Sequence, residues 1–348
     1  MLRHVTDHAA PRPGVYRMLS EEGGVLYVGK SKRLRERLLS YFRAERRDKE
    51  ARILREARAI EWTYTPSEFA ALREELRLIK RFRPRFNVSR KRDAEHYAFL
   101  RITSGPAPKL TVERRDATGE GLFYGPFVGP DLVADAARSL SDAFGLRDCP
   151  DVVPIRFLRP GLEKPSPAPR APDCIRHEVG KCLGPCVAQC TRSEYDDRVT
   201  LLRAFLEGKS EGPIERFRRA MAEAKERLAY EQAALFRDRL ERLDQLRRQF
   251  SKIRFALESL SLVYPVPGVG GEDRVYLLRR GTVRAELSAP RTTEDRLRLQ
   301  DLIDRVYQPR EPEESPVRTH EIEEILVLSA WFAKNPEELA RAWRPTVS

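Results

Sequence analysis

The chain has 348 residues, enough for two or three domains that each bury an apolar core. Its formal charge of +12 indicates a polyanionic partner. No apolar run reaches the length of a membrane span, and residues 1–11 lack the apolar run of a signal peptide. We therefore expect a cytoplasmic protein without a membrane partner. The positive charge is concentrated in residues 1–100, which hold 24 Lys and Arg against 14 Asp and Glu.

The first predicted elements are a β-hairpin and a basic helix. Short β-branched and aromatic runs at 15–16 and 25–28 are separated by a Glu-Glu-Gly-Gly turn, which favours a hairpin. A helix is predicted over 31–43, with Leu34, Leu38 and Phe42 on its buried stripe. Arg33, Arg37 and Tyr41 recur every four residues, so they are predicted to share a neighbouring face.

A second helix is predicted over 67–82, with one glutamate at the edge of its apolar stripe. Glu75 lies beside the positions of Leu72 and Ile79 on a helical wheel, whereas Glu74 points elsewhere and is interpreted as a solvated residue. A carboxylate at such a margin points along the packed surface and is available to a cation.

Residues 14–87 together contain the residue types needed to cleave a phosphodiester. A glutamate can hold a divalent cation that polarises the phosphate. Arginine and lysine neutralise the charge that grows on the phosphoryl oxygens. A tyrosine whose pKa is lowered by nearby cations can take the proton from the attacking water. The alternative is that the tyrosines are core aromatics and the cations a solvated face.

After residue 95 the pattern changes to packed strands followed by a proline-rich stretch. Strands are predicted at 96–103 and 109–115, an aromatic Gly-Pro step at 123–127 and a helix at 131–144. Residues 152–172 hold six prolines, which predicts a linker without a core of its own.

Five cysteines follow in one region, and spacing alone leaves their role open. Cys149, Cys174, Cys182 and Cys186 offer four thiolates for zinc or an iron–sulfur cluster, and Cys190 comes four residues later. No Cys-x₂-Cys knuckle is present, so iron–sulfur, zinc and no metal all remain possible at this point. Disulfides are not expected in a cytosolic chain.

The C-terminal part reads as helices around a small set of strands. A helix at 193–206 precedes a helical pair at 214–229 and 231–249, which by itself buries too little to be stable and often completes its core against a partner. Strands at 260–266 and 274–287, with a turn at 280–282, precede helices at 293–307 and 320–332. Two tryptophans, Trp331 and Trp343, are predicted to pack near the end. No Gly-x-x-x-x-Gly-Lys-Ser/Thr loop occurs, so no nucleotide cofactor is expected.

The N-terminal motifs resemble the GIY-YIG nuclease domain, and in particular that of the UvrC family of bacterial nucleotide excision repair. The GIY motif corresponds to Gly14-Val15-Tyr16 and the YIG motif to Tyr27-Val28-Gly29. By this resemblance the site residues are Tyr16, Tyr27, Lys30, Arg37, Tyr41, Glu75 and Asn87. Glu75 would bind one Mg²⁺ or Mn²⁺ ion. The residues expected to contact DNA are Lys30, Lys32, Arg33, Arg37 and Arg85.

The resemblance extends to the cysteines and to the helical pair. The UvrC family uses four cysteines for a [4Fe–4S] cluster, which implies Cys149, Cys174, Cys182 and Cys186 here, with Cys190 as a substitute for Cys149 and zinc as the alternative metal. Residues 230–238 resemble the UVR motif, which docks UvrC on UvrB. The residues of that motif expected to bind the partner are Tyr230, Ala234, Phe236 and Arg237.

The sequence predicts an α+β multidomain fold. Its parts are a GIY-YIG nuclease domain built on a small antiparallel sheet flanked by helices (1–94), an α+β segment (95–148), a Cys-rich segment with the proline-rich linker (149–192), a helical region with a UVR-type hairpin at 214–249 (193–250), and a small C-terminal α+β region (251–348). The RNase H-like and helix-hairpin-helix domains of UvrC have no counterpart in this sequence, so a shortened, Cho-like form is expected.

The function implied is a metal-dependent DNA endonuclease that makes one incision, on the 3′ side of a lesion in duplex DNA, together with UvrB. Two alternatives remain from the sequence. One is a non-catalytic adaptor that holds DNA and UvrB without cutting. The other is a branch-specific GIY-YIG nuclease with no role in damage repair.

Overall fold

A computed structural model describes residues 1–45, 47–87, 97–114, 120–163, 174–308 and 317–345. These residues form two compact units, each discontinuous in sequence. The first unit contains residues 1–87, 256–308 and 323–345, and the second contains residues 97–255 and 317–322. The chain thus begins one unit, builds the other, and then returns to complete the first. The predicted boundary between residues 94 and 95 lies outside the described residues.

The N-terminal part of the first unit is built on a three-stranded antiparallel sheet of order β2-β1-β3. Its strands are β1 (Gly14–Leu19), β2 (Val25–Ser31) and β3 (Ala59–Tyr64). Its helices are α1 (Leu2–His8), α2 (Leu34–Tyr41), α3 (Lys49–Glu56) and α4 (Glu68–Phe82). The predicted hairpin and the helix carrying Glu75 are confirmed, whereas β3 and α3 were not predicted.

Both faces of this sheet are covered, because successive residues of a strand point to opposite sides. Tyr16 and Met18 face a core shared with α1, α2 and α3, whereas Val15 faces a second core formed with α4. The helix α4 begins at Ser67, whose side-chain hydroxyl accepts a hydrogen bond from the Ala70 N–H at 3.1 Å and so caps the first turn.

The C-terminal part of the first unit has its own antiparallel sheet of order β7-β8-β9. The elements are β7 (Leu262–Val266), β8 (Arg274–Arg279), β9 (Thr282–Ser288), α10 (Thr293–Tyr307), α11 (Ile322–Lys334) and α12 (Pro336–Arg341). One face packs on α10 through Val263, Val275, Leu277 and Ile303. Of the two tryptophans, Trp331 is half-buried, but Trp343 is 45% exposed and takes part mainly through backbone pairing with Val263.

The second unit surrounds a third antiparallel sheet, of order β5-β4-β6. Its elements are β4 (Tyr97–Thr103), β5 (Leu110–Glu113), β6 (Gly121–Val128), α5 (Pro130–Phe144), α6 (Ile175–Glu178), α7 (Arg192–Leu206), α8 (Gly212–Glu226) and α9 (Tyr230–Ser259). The last helix runs ten residues beyond its predicted end, because Ile253 and Ala256 continue its buried stripe.

The helical pair α8 and α9 does not lack a core in this chain, contrary to the expectation from its length. Ile214, Phe217, Leu240, Leu243 and Leu246 all join the core beneath the β5-β4-β6 sheet. The pair is therefore stabilised by its own unit, and removing it would remove part of that core.

The first half of the predicted proline-rich linker is also packed. Ile155 and Phe157 contact the core of the second unit, and Leu158 forms a bridge with Thr191. This half of the linker thus packs on the core of the second unit rather than forming a core of its own, and residues 164–173 lie outside the described residues. Within the part of the chain that the structure describes, none of the helices combines the length and the apolar character needed to cross a bilayer.

Candidate active site

Three tyrosines converge where β1, β2 and the end of α2 meet. The hydroxyl oxygens of Tyr16 and Tyr41 lie 3.0 Å apart, and both side chains are only 1% exposed. The ring of Tyr27 lies 6.1 Å from that of Tyr16 and 6.5 Å from that of Tyr41, and this side chain is half-buried. A Cβ at Gly29 would lie 2.5 Å from the Tyr16 hydroxyl, which explains why the second motif ends in glycine.

Arg37 connects this cluster to helix α3. Its Nε donates to the Tyr16 hydroxyl at 3.2 Å, and its guanidinium lies 5.0 Å from the centre of the Tyr41 ring. The Nη2 of Arg37 donates to the Oε1 of Glu50 at 3.1 Å. One guanidinium is therefore held by a phenol, an aromatic face and a carboxylate, which fixes the direction in which it points.

Burial raises the pKa of Tyr16 and of Tyr41 above the ordinary tyrosine value, contrary to the lowered pKa expected from the sequence. For Tyr16 the next largest cause is Tyr27, and Arg37 opposes the shift only in part. For Tyr41 the neighbouring Tyr16 and Tyr27 add to the effect of burial. The positions of the nearby cations can be read from the sequence, but the near-complete removal of the two rings from water cannot.

Glu75 lies on α4 and is 7% exposed, deeper than the margin predicted from the helical wheel. Its neighbour Glu74 is half-buried and pairs with Arg77 at 2.6 Å. A buried carboxylate suits Mg²⁺, which accepts one or two carboxylates and keeps several of its waters. Among the described residues no group of three or more His, Cys, Asp and Glu side chains is placed to hold an ion. If Glu75 binds a metal, water and phosphate would have to supply the other ligands.

Lys30 is the residue that follows the YIG motif, and it is held by a carboxylate that the sequence analysis missed. Its Nζ donates to Glu68 at 2.7 Å, with the lysine side chain 21% exposed. Two further missed residues lie on α3, where Glu50 holds Arg37 and the Nζ of Lys49 lies 5.2 Å from the centre of the Tyr27 ring. Only the tertiary fold brings α3 to the motif, so no sequence signal identifies these residues.

Asn87 fastens the chain after α4 to strand β2. Its Oδ1 accepts from the Val28 N–H at 2.9 Å, and its Nδ2 donates to the Val28 carbonyl at 2.7 Å. Because β2 is an edge strand of the sheet, the amide side chain occupies the position that a neighbouring strand would take. Asn87 therefore orders the strand that carries Tyr27 and leads to Lys30.

The residues expected to contact DNA do not all lie on one helix face. Helix α2 begins at Leu34, so Arg33 has a non-helical backbone before the helix and does not continue the face of Arg37, which corrects the predicted periodicity. Arg33 is exposed and pairs with Glu36, Lys32 is exposed, and Arg85 pairs with Glu56.

The cysteines named by the resemblance lie near one another in the second unit, but they do not form a metal-binding group as placed. Burial raises the pKa of the Cys182 thiol to about 11, and smaller contributions come from Cys174, Cys186 and Cys149. This mutual influence shows proximity, yet no three of these thiols are positioned to share an ion. The iron–sulfur or zinc site is therefore not supported by the geometry. Cys190 is 1% exposed within the apolar core.

The helical pair exposes a different set of side chains from the one predicted to bind a partner. Tyr230 and Arg237 are exposed, but Phe236 packs on Phe217, with the ring centres 6.2 Å apart. Ala234 is half-buried. Leu228 and Leu235 are 69% and 60% exposed, and neither was predicted as a contact.

Comparison with known proteins gives two consecutive family matches. Residues 12–88 match the UvrC-like GIY-YIG domain, and residues 97–205 match the middle domain of the UvrC/Cho excinuclease. The chain is similar to UvrABC system protein C of Idiomarina loihiensis, with 36% identity over 240 residues that cover 69% of this chain and 36% of the relative. The corresponding Rhizobium meliloti protein is 37% identical over 236 residues, covering 67% and 33% of the two chains.

A solved structure shares the N-terminal motifs. The GIY-YIG N-terminal endonuclease domain of UvrC from Thermotoga maritima, bound to magnesium as its catalytic divalent cation, is 36% identical. The match covers 25% of this chain and 93% of that one, with a TM-score of 0.23. The present chain spans about a third of the length of the curated relatives it matches. With its GIY-YIG domain followed by the middle domain of UvrC and Cho, the chain belongs to the UvrC family of GIY-YIG proteins.

Proposed function

We propose that this chain is a metal-dependent endonuclease of nucleotide excision repair, which cuts lesion-bearing duplex DNA once, on the 3′ side of the lesion, together with UvrB. The observation that carries the proposal is the buried set around Tyr16, in which Arg37, Tyr41 and Tyr27 converge on strands whose other face packs on the helix of Glu75. A solvated cationic face would not contain buried polar groups of this kind, because each buried polar group needs a hydrogen-bond partner.

Each residue of the site has a defined part in the proposed reaction. Glu75 would hold one Mg²⁺ or Mn²⁺ ion, which when bound polarises the scissile phosphate and offsets charge on the leaving oxygen. Arg37, already aligned by Tyr16 and Glu50, neutralises the phosphoryl oxygens, and Lys30 does so from the end of β2. Tyr16 or Tyr27 accepts the proton from the attacking water in its phenolate form; because burial raises the pKa of Tyr16 and favours its neutral form, the half-buried Tyr27 is the better candidate. The pH dependence of cutting by Tyr16→Phe and Tyr27→Phe variants distinguishes the two tyrosines.

One set of catalytic residues of this kind is expected to make one incision in the DNA. The two phosphates of a dual incision lie on opposite sides of a lesion, and one pocket holds one phosphate. Among the described residues of the C-terminal part, Glu294 and Asp301 belong to exposed ion pairs with Arg298 and Arg305. The test is an end-labelled duplex with one lesion, incubated with UvrB and Mg²⁺ or with a chelator. We expect one Mg²⁺-dependent nick on the 3′ side.

Other outcomes of that experiment point to the alternatives. Binding of lesion DNA and UvrB with no nick under any condition would indicate an adaptor. Cutting of branched DNA without UvrB, and no preference for lesions, would indicate a branch-specific nuclease. Release of a short lesion-bearing oligonucleotide by this chain and UvrB alone would require a second catalytic centre and would contradict the proposal.

We propose that UvrB docks on the outer side of the α8–α9 pair. The support is the exposed apolar set Leu228, Tyr230 and Leu235 at the turn and at the start of α9. Deleting the pair is a poor test because its inner side belongs to the core of the second unit. Substituting Leu228 and Leu235 by serine should instead abolish the UvrB-dependent nick while the free energy of unfolding changes little. Phe236→Ser, which breaks the packing on Phe217, is the destabilising control.

A further inference from the structure

An aromatic cluster connects the catalytic helix α4 to the C-terminal part of the same unit. Phe69, on the first turn of α4, is 1% exposed. Its ring meets Tyr264 edge-on at 5.0 Å and Tyr276 at 4.7 Å between centres. The rings of Trp331 and Phe332, both on α11, lie 5.7 and 6.5 Å from it. The helix that carries Glu75 is therefore anchored at its N-terminal end by residues nearly 200 or more positions later in the chain.

Two polar contacts reinforce this anchoring. The N–H of Val269 donates to the carbonyl of Pro66 at 2.8 Å, just before the cap of α4. One turn further along, Arg73 forms an ion pair with Glu286 on β9. The C-terminal sheet thus contacts both the start and the first turns of α4.

The same cluster reaches the site itself through Trp331. The Nζ of Lys30 lies 5.8 Å from the centre of the Trp331 ring, within the range of a cation–π interaction. The Trp331 Nε1 lies 3.4 Å from the Tyr264 hydroxyl, which helps to fix the plane of the indole. Lys30 is therefore confined between the Glu68 carboxylate and the indole of Trp331.

We propose that Trp331 is a positioning residue for Lys30, so that the C-terminal part of the chain completes the phosphate-binding side of the GIY-YIG site. A lysine has a long, flexible side chain, and an ammonium held by one half-exposed carboxylate alone would sample several rotamers. The indole restricts this movement. This inference rests on the proposed nuclease function and adds a residue from outside the family's GIY-YIG domain match, which ends at residue 88.

The test compares Trp331→Leu with Trp331→Phe and with Phe332→Leu, in the full chain on the lesion-bearing duplex. Trp331→Leu removes the aromatic face, and we expect kcat to fall about 2- to 30-fold, the range of a cation–π contact, with KM changed less than kcat. Trp331→Phe keeps an aromatic face and should recover most of the lost rate. Phe332→Leu weakens the same cluster around Phe69 but lies outside the Lys30 contact, so it should retain activity near that of the wild type.

A double-mutant cycle decides whether the effect passes through Lys30. In a Lys30→Met background, Trp331→Leu should cause no further loss, because the group it positions is already absent. Equal losses from Phe332→Leu and Trp331→Leu, or a full additional loss in the Lys30→Met background, would show that Trp331 only stabilises the fold and would overturn the inference.

A second measurement does not depend on cutting. The rate at which an amine-specific reagent methylates Lys30, followed by mass spectrometry, should rise in Trp331→Leu and stay unchanged in Phe332→Leu. If the wild-type chain cuts no DNA, the proposed function fails, while the methylation rates still decide the contact. Equal methylation of Lys30 in the wild type and in Trp331→Leu would overturn the positioning role whatever the cutting assay shows.

Discussion

The two hydrogen bonds between Asn87 and Val28 give a direct test of how the site is held together. Val28 is fully buried, so in an Asn87→Ala variant its N–H and its carbonyl lose their partner without gaining access to water. An unpaired buried group costs about 1–3 kcal/mol, and two of them, with partial relaxation, cost about 2–4 kcal/mol. Because β2 is an edge strand, the loss acts first on local opening of that strand.

Hydrogen exchange of the Val28 amide measures this opening. A loss of about 2–4 kcal/mol accelerates exchange roughly 30- to 700-fold, since each 1.4 kcal/mol is a factor of ten. A peptide that covers β3 is the internal control, because β3 pairs with the other edge of β1 and should exchange at nearly the wild-type rate. We expect DNA cutting to fall together with protection of β2. Loss of cutting with unchanged exchange at Val28 would refute the bracing role and assign Asn87 to direct contact with DNA or metal.

Three further predictions follow from the site. Glu75→Gln should lower the cutting rate at least about 100-fold by weakening metal binding, while DNA binding stays nearly unchanged. The control variant Glu74→Gln should cut normally. The reverse result would show that the wrong carboxylate was assigned. Because burial raises the pKa of Tyr16 and Tyr41, the free energy of unfolding should be fully retained below about pH 10 and fall as the pH rises above it. Urea denaturation as a function of pH should show a smaller fall in Tyr41→Phe, and an identical fall would contradict the assignment. If the cysteines move together to bind the cluster implied by the family, protein purified without oxygen should contain about four irons per chain, and the Cys182→Ser variant should contain none. Iron-free wild-type protein would agree with the present placement of the thiols.

The sequence was most informative where function depends on local pattern. The hairpin follows from two β-branched runs around a glycine turn, and α4 follows from the spacing of its apolar residues and its Ser67 cap. Both predictions require only contacts between residues close in the chain. The same is true of the proximity of Tyr16 and Tyr27, which lie on paired strands.

Contacts between distant segments could not be predicted in the same way. The ion pairs Glu50–Arg37 and Glu68–Lys30 cannot be predicted from the spacing of residues along the chain. In each pair the tertiary fold brings together residues from two different elements. The direction of the tyrosine pKa shift failed for a related reason, since burial in three dimensions outweighed the charges counted in sequence. The contact of Phe236 with Phe217 likewise joins two helices and has no signature in the motif itself.

The discontinuous build of the first unit has a consequence for biosynthesis. Phe69 is covered by Tyr264, Tyr276 and Phe332, so the ribosome must add about 190 residues after Asn87 before both covering strands exist. At bacterial elongation rates this interval lasts on the order of 10–40 s. During that time the nascent N-terminal part carries an unburied aromatic side chain beside its catalytic helix, a surface that attracts chaperones. A prematurely terminated chain therefore keeps this apolar surface and is a target for proteolysis, so that the complete first unit arises only from finished chains.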